Sequence, residues 1–190
     1  VPSILSSQFI TKFEEVAPYR PLELLGRDIY VREGCYLCHS QTVRTLPHEV
    51  LRYGKASQAA EFVYDYPFQW GSKRTGPDLA RVGGKYSNLW HYRHFAKPQE
   101  VTAGSIMPRY GWLYEGKIGY DMLVKKMTAM QTLGVSYTND EIENSVADAK
   151  EQAMDIIEDL GRNGGVTEKM KDKEVIALIA YIQRLGIDYG

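Results

Sequence analysis

The chain has 190 residues, 44% of them apolar and 25% charged, with a formal net charge of −1. That suits one domain with a core of its own, at about 100–200 residues per domain. The near-neutral balance excludes a general pull toward nucleic acid. No run of about 18 apolar residues occurs, so no membrane-spanning helix is read here, and no signal peptide is visible at the start.

Val1–Ile10 is mildly apolar and serine-rich. With the residues up to 20 it reads as a linker, or as the exit of a membrane anchor that lies outside this sequence. Pro21 suits the first turn of a helix. Leu22, Leu25, Gly26, Ile29 and Tyr30 then follow an i, i+3, i+4, i+7, i+8 pattern, one apolar stripe, and Gly34 ends it. Thr45–Ser72 is aromatic and irregular, and is expected as a long ordered loop with one helical turn. Asn88–Phe95 reads as a short helix and Pro98–Trp112 as loop. Asp121–Leu133 is amphipathic, with Leu123, Met127 and Met130 on one face. Thr138-Asn-Asp-Glu141 is a capping box. It opens a helix expected to reach Leu160, with Gly161 as the stop. The last helix is expected over Asp172–Leu185, with Val175, Leu178, Ile179, Ile182 and Leu185 as its stripe. The fold class is mainly α. Residues 21–190 form one domain, with 118–165 as an accessory helical insertion before the last helix.

Charge is uneven along the chain. Gly71–Arg109 carries a net of +5 and Tyr110–Gly190 a net of −5. This is a docking hint, although such bias commonly marks a solvated face.

The only two cysteines lie in Cys35-Tyr36-Leu37-Cys38-His39. This is the C-x-x-C-H spacing of covalent haem attachment. Two thiols three positions apart on a turn reach the two vinyl groups on one porphyrin edge, and the next residue places an imidazole on the iron axis. A zinc site would need a second ligand pair, and a redox dithiol would need βαβ surroundings. Neither is present, so one covalent haem c with His39 as proximal ligand is expected.

The sixth ligand comes from elsewhere. Met107 precedes Pro108 in a loop, 68 residues after His39, and is the first candidate. His/Met ligation is an electron-transfer pairing that raises the reduction potential. His48, after Pro47, is the rival; His91 and His94 are expected at the haem edge or surface. The other methionines fall on expected helices, where Met usually fills the core. In Gly76-Pro77-Asp78-Leu79, the Pro77 carbonyl is the candidate acceptor for the second ring nitrogen of His39, a bond that fixes the tautomer. Leu79 is expected on the porphyrin face. Arg74, Arg81, Lys85, Trp90 and Tyr110 are candidates to neutralise or hydrogen-bond the haem propionates. No nucleophile–base pair or open metal position is apparent, so no turnover site is expected.

The string CHSQ-x-x-R, then RYG-x-x-S, YD-x-PFQWGSKRTGPDLARVGGKYS-x-x-WH and S-x-MP-x-Y-x-WL resembles the mono-haem subunit of the C-family (cbb-type) haem–copper cytochrome c oxidases. The match is dense over about Leu22–Leu113 and looser over the last helix. The resemblance implies a class I cytochrome c fold, its first and last helices crossing near Gly26 and Tyr30 on one side and Leu178 and Tyr181 on the other. It implies His39/Met107 ligation, and a place on the periplasmic face of a bacterial inner membrane. Electrons would pass from a di-haem cytochrome c subunit toward haem b of the catalytic subunit. It also implies an N-terminal anchor, which this sequence does not show and which is therefore expected as absent or removed. A calcium ion where this subunit meets the catalytic one is implied near Ser105. A free periplasmic electron shuttle is the alternative reading.

Overall fold

The computed structural model describes residues 13–187; Val1–Ile10, expected as linker, lies outside the described residues. The first helix, α1 (Pro21–Arg32), starts where Pro21 fits a first turn, and Glu23 turns back to accept from the Arg20 amide at 2.8 Å. It stops ahead of Gly34, which takes a left-handed φ of 69° and turns the chain into a 3₁₀ turn over Cys35–Leu37. Chain order then runs through α2 (Pro47–Tyr53), a 3₁₀ turn Ala59–Phe62, α3 (Asn88–Ala96), the one-turn α4 (Pro98–Val101) and a 3₁₀ turn Gly111–Tyr114. It continues through α5 (Leu123–Thr132), α6 (Asn139–Gly164) and α7 (Glu174–Arg184). Among the described residues there is no β-strand. The protein is mainly helical with long connecting loops, consistent with a cytochrome c-like all-α fold.

The centre of the molecule is the crossing of α1 and α7. A Cβ placed on Gly26 would lie 1.9 Å from the Ala177 carbonyl oxygen and 2.8 Å from Cβ of Tyr181. Only glycine lets the two backbones approach this closely. Tyr30 and Tyr181 meet beside it with ring centroids 5.3 Å apart. The expected crossing near Gly26, Tyr30 and Tyr181 is therefore present. Leu22, Leu24, Leu25, Ile29 and Tyr30 of α1 bury against Val175–Ile182 of α7, a stripe apolar nearly all round.

The segment 118–165 packs into this same core. Leu123, Met127 and Met130 of α5 and Ile142, Ala149, Ala153, Ile157 and Leu160 of α6 join one apolar cluster with α1 and α7. The Thr138 capping box forms, with its hydroxyl accepting from Glu141 N at 3.2 Å.

Three boundaries differ from expectation. The α6 helix does not stop at Leu160: it runs through Gly161 to Gly164, and Gly165 supplies the left-handed cap at φ 67°. One interior glycine costs only about 1 kcal/mol. The extra turn is held by Asn163, which donates to Asp159, and by Gly164, which packs so closely on Leu89 that a Cβ would sit 2.4 Å from its Cδ1. Thr45–Ser72 holds two helical pieces rather than one. Pro98–Trp112 is not all loop, because Pro98 starts α4 in the manner of a first-turn proline.

Candidate haem site

The C-x-x-C-H segment is a tight turn made by local backbone bonds. The amides of Cys38 and His39 both donate to the Cys35 carbonyl, at 3.1 and 2.9 Å. Cys35 is half-buried and Cys38 exposed, and the two form no disulfide. Burial pushes the Cys35 thiol up to about 12, with the charges of Glu33 and Cys38 adding to it. A redox dithiol needs the opposite shift.

Residues 38–42 are clamped by residues 70–80. Gly76 N donates to the Cys38 carbonyl at 2.9 Å, Leu79 N to the Ser40 carbonyl at 2.8 Å, and Gln41 N to the Trp70 carbonyl at 2.6 Å. Asp78 is buried and locks the two stretches together. Its carboxylate accepts from Ser40 Oγ at 2.6 Å, from Thr42 N at 2.8 Å and from Ala80 N at 2.8 Å.

Within this clamp His39 Nδ1 lies 2.8 Å from the Pro77 carbonyl oxygen. With Nδ1–H donating there, Nε2 is left with its lone pair free. Gly76 is the floor under the ring: a Cβ on it would stand 2.2 Å from Cε1 and 2.8 Å from Nε2. Burial lowers the His39 pKa, keeping the ring neutral, the form that binds a metal.

Met107 sits in the loop after α4, half-buried against the core. Its amide donates to Ser105 Oγ at 3.3 Å, and Gln99 Nε2 donates to the Ser105 carbonyl at 2.8 Å. Farther on, Tyr110 N donates to the Phe95 carbonyl at 2.9 Å, which ties the Met107 loop to the end of α3. The Tyr110 hydroxyl is pushed up to about 12 by burial first, and then by the charges of Cys35, Cys38 and Glu33. His48 is exposed on α2 and shares a cleft with Gly76 and Pro77, the residues that back His39.

Two of the basic candidates already have acidic partners. Arg74 bonds Glu49 at 2.6 Å, Ser40 Oγ at 2.7 Å and the Thr42 carbonyl at 2.8 Å. Arg81 bonds Glu61 through both terminal nitrogens, at 2.7 and 2.8 Å. Lys85 reaches the Tyr53 carbonyl at 3.1 Å. Trp90 stacks between Tyr86 and His94, with centroids 4.1 and 4.4 Å away. Leu79 is half-buried at the edge of the core. The string Gly76-Pro77-Asp78-Leu79 was expected around His39, but the separate parts of Gly76 and Asp78 in it, and that of Glu49, were not read from the sequence.

The donor set fits one haem. Two thiols and an imidazole share one rigid turn, and a thioether stands in a tethered loop. Two buried imidazole nitrogens without hydrogen-bond partners, His91 Nε2 and His94 Nδ1, lie on α3, whose C-terminal end is bonded to that loop. Around Ser105, by contrast, no acidic cage is built: among the described residues no three or more His, Cys, Asp or Glu gather as for a metal ion. No helix of the described residues is long and apolar enough to cross a membrane.

The family described as "Cytochrome C oxidase, mono-heme subunit/FixO" matches residues 1–189. No curated protein matches the chain. The chain belongs to this family, the mono-haem cytochrome c subunits of cbb-type oxidases, and carries one haem as a subunit of a membrane-associated oxidase.

Proposed function

We propose that this chain would hold its haem covalently through Cys35 and Cys38, that His39 and Met107 would ligate the iron, and that the chain relays electrons to the catalytic subunit of its oxidase. When bound, the haem supplies a one-electron iron couple. Everything else is done by the chain. Asp78 and Gly76 hold His39 in one orientation. Pro77 accepts the Nδ1 proton, which makes Nε2 the ligating nitrogen and a more basic one. Met107 offers a thioether, which favours the reduced state relative to a second imidazole. Leu79, Trp90 and Tyr110 wall the porphyrin. His39 and Met107 would together close the iron to a substrate, so the chain would serve as a relay without a turnover site of its own.

The observation that carries this reading is the His39–Pro77 bond over Gly76, set where residues 70–80 clamp the end of the cysteine turn. The same reading places the subunit at the periplasmic face of the inner membrane. A di-haem cytochrome c subunit is the donor and haem b of the catalytic subunit the acceptor; the residues around Ser105 do not fit the calcium ion that the resemblance implies there. Arg74 and Arg81 act on the propionates only from within their pairs with Glu49 and Glu61, and so as shared rather than dedicated partners. The test is co-purification: antibody pull-down of this chain from solubilised membranes brings down an oxygen-reducing oxidase. Recovery of the haem-bearing chain alone, with no oxidase activity, contradicts it.

A further inference from the structure

His94 has no assigned part in electron relay, yet its surroundings suit a metal ligand. It is on the last turn of α3, one residue before Phe95, whose carbonyl receives the Tyr110 amide of the Met107 loop at 2.9 Å. That bond sets His94 beside the loop that delivers Met107. Its Nδ1 is buried with no hydrogen-bond partner. A buried nitrogen left unpaired is costly unless something outside the protein atoms takes it up. The ring is not loose: it stacks on Trp90 with centroids 4.4 Å apart and planes 15° from parallel, and Trp90 stacks in turn on Tyr86. A neutral imidazole has a lone pair to give a metal.

We infer that His94, held on the helix end to which the Met107 loop is bonded, is a reserve ligand for the haem iron, and that it would take the iron when the Met107 thioether is lost. The exchange breaks an iron–sulfur bond and forms an iron–nitrogen bond. Both groups are neutral donors, so no electron or proton is gained or lost by the pair. Its consequence is protective: the haem stays six-coordinate and closed to oxygen and peroxide. It does so at a lower potential, since an imidazole replaces the thioether.

This inference rests on the haem reading above, and the experiment separates the two. Holoprotein is prepared as wild type, His94→Phe, Met107→Ala and the Met107→Ala/His94→Phe double variant. Phenylalanine keeps the stack on Trp90. If the haem reading fails, Met107→Ala retains the methionine–iron absorbance band, or no variant binds haem covalently. If it holds, His94→Phe keeps the band and Met107→Ala loses it. Met107→Ala then shows a low-spin, bis-imidazole spectrum, and the double variant turns high-spin. Added imidazole binds the double variant at least ten-fold more tightly than Met107→Ala, because His94 no longer competes. A high-spin Met107→Ala protein, or equal imidazole affinity in the two, overturns the inference. Should Met107→Ala fail to accumulate, Met107→Leu, which conserves volume, replaces it in both comparisons with the same outcomes.

Discussion

A Cβ atom built on Gly76 stands 2.2 Å from Cε1 of His39, well inside contact distance. The glycine therefore sets where the imidazole can lie. The next residue, Pro77, presents the carbonyl that fixes the ring's rotation at 2.8 Å. Two consecutive residues thus determine both the position and the tautomer of the proximal ligand. Gly76→Ala is expected to push the ring off this carbonyl. Overpacking of this kind costs about 1–3 kcal/mol. A weakened bond also makes the imidazole a poorer donor, which raises the reduction potential. Denaturant unfolding and potentiometry of the holoprotein check both parts; an unchanged potential would mean that the bond does not tune the iron.

The same reasoning applies at the α1–α7 crossing. Alanine has the better helix propensity by about 1 kcal/mol. Gly26→Ala should nonetheless destabilise the protein, because its methyl would stand 1.9 Å from the Ala177 carbonyl oxygen. The helices must separate, and the Tyr30–Tyr181 contact loosens with them. A fall in the unfolding midpoint is expected, with near-UV circular dichroism of the tyrosines altered. A midpoint equal to or above wild type would show that the crossing has slack.

Glu49 gives a pH signature. Hydrogen bonds from Arg74 and Arg44 hold its carboxyl well below the usual carboxylate range. A depressed folded-state pKa adds stability that is fully present above the unfolded value, about 4.3 for Glu, and is lost as pH falls through the folded value. Glu49→Gln should therefore be less stable than wild type at neutral pH. The gap should narrow only as pH drops below about 4. Thermal unfolding across pH 2–8 reads it; a gap of constant size would deny the ionic character of the Glu49 contacts.

Much of the fold was legible because its signals are local. Pro21, Gly34, the Thr138 capping box and the α7 stripe each act within a few residues. The cysteine turn is equally local, and the Pro77 carbonyl followed from the rule that a ligating histidine donates its second nitrogen. What stayed hidden depends on tertiary contact. Arg27 lies within the α1 sequence that reads as one apolar stripe, yet it is buried and bonds Asp65 at 2.7 Å, 38 residues away. Asp78 looks like a turn residue until Ser40 and Thr42 are seen to donate to it. Gly161 reads as a stop because its sequence context is right. The overriding contact, Gly164 on Leu89, joins two helices that no periodicity relates. The oxidase context came from the resemblance carried by the central string, which spacing and composition do not supply.

Met107→Ala should keep the haem attached, lose the methionine–iron absorbance band and lower the reduction potential, since a thioether ligand favours ferrous iron. Optical spectra of the oxidised protein and a redox titration suffice. A retained band would move the sixth ligand to another methionine.

The most direct test is of covalent attachment itself. Purified wild-type protein is extracted with acid acetone, digested, and its peptides weighed. Attachment predicts that the haem stays with the chain, on the peptide carrying Cys35 and Cys38, and that a Cys35→Ala/Cys38→Ala variant gives up any haem it holds. Haem released from the wild-type chain into the acetone would contradict it.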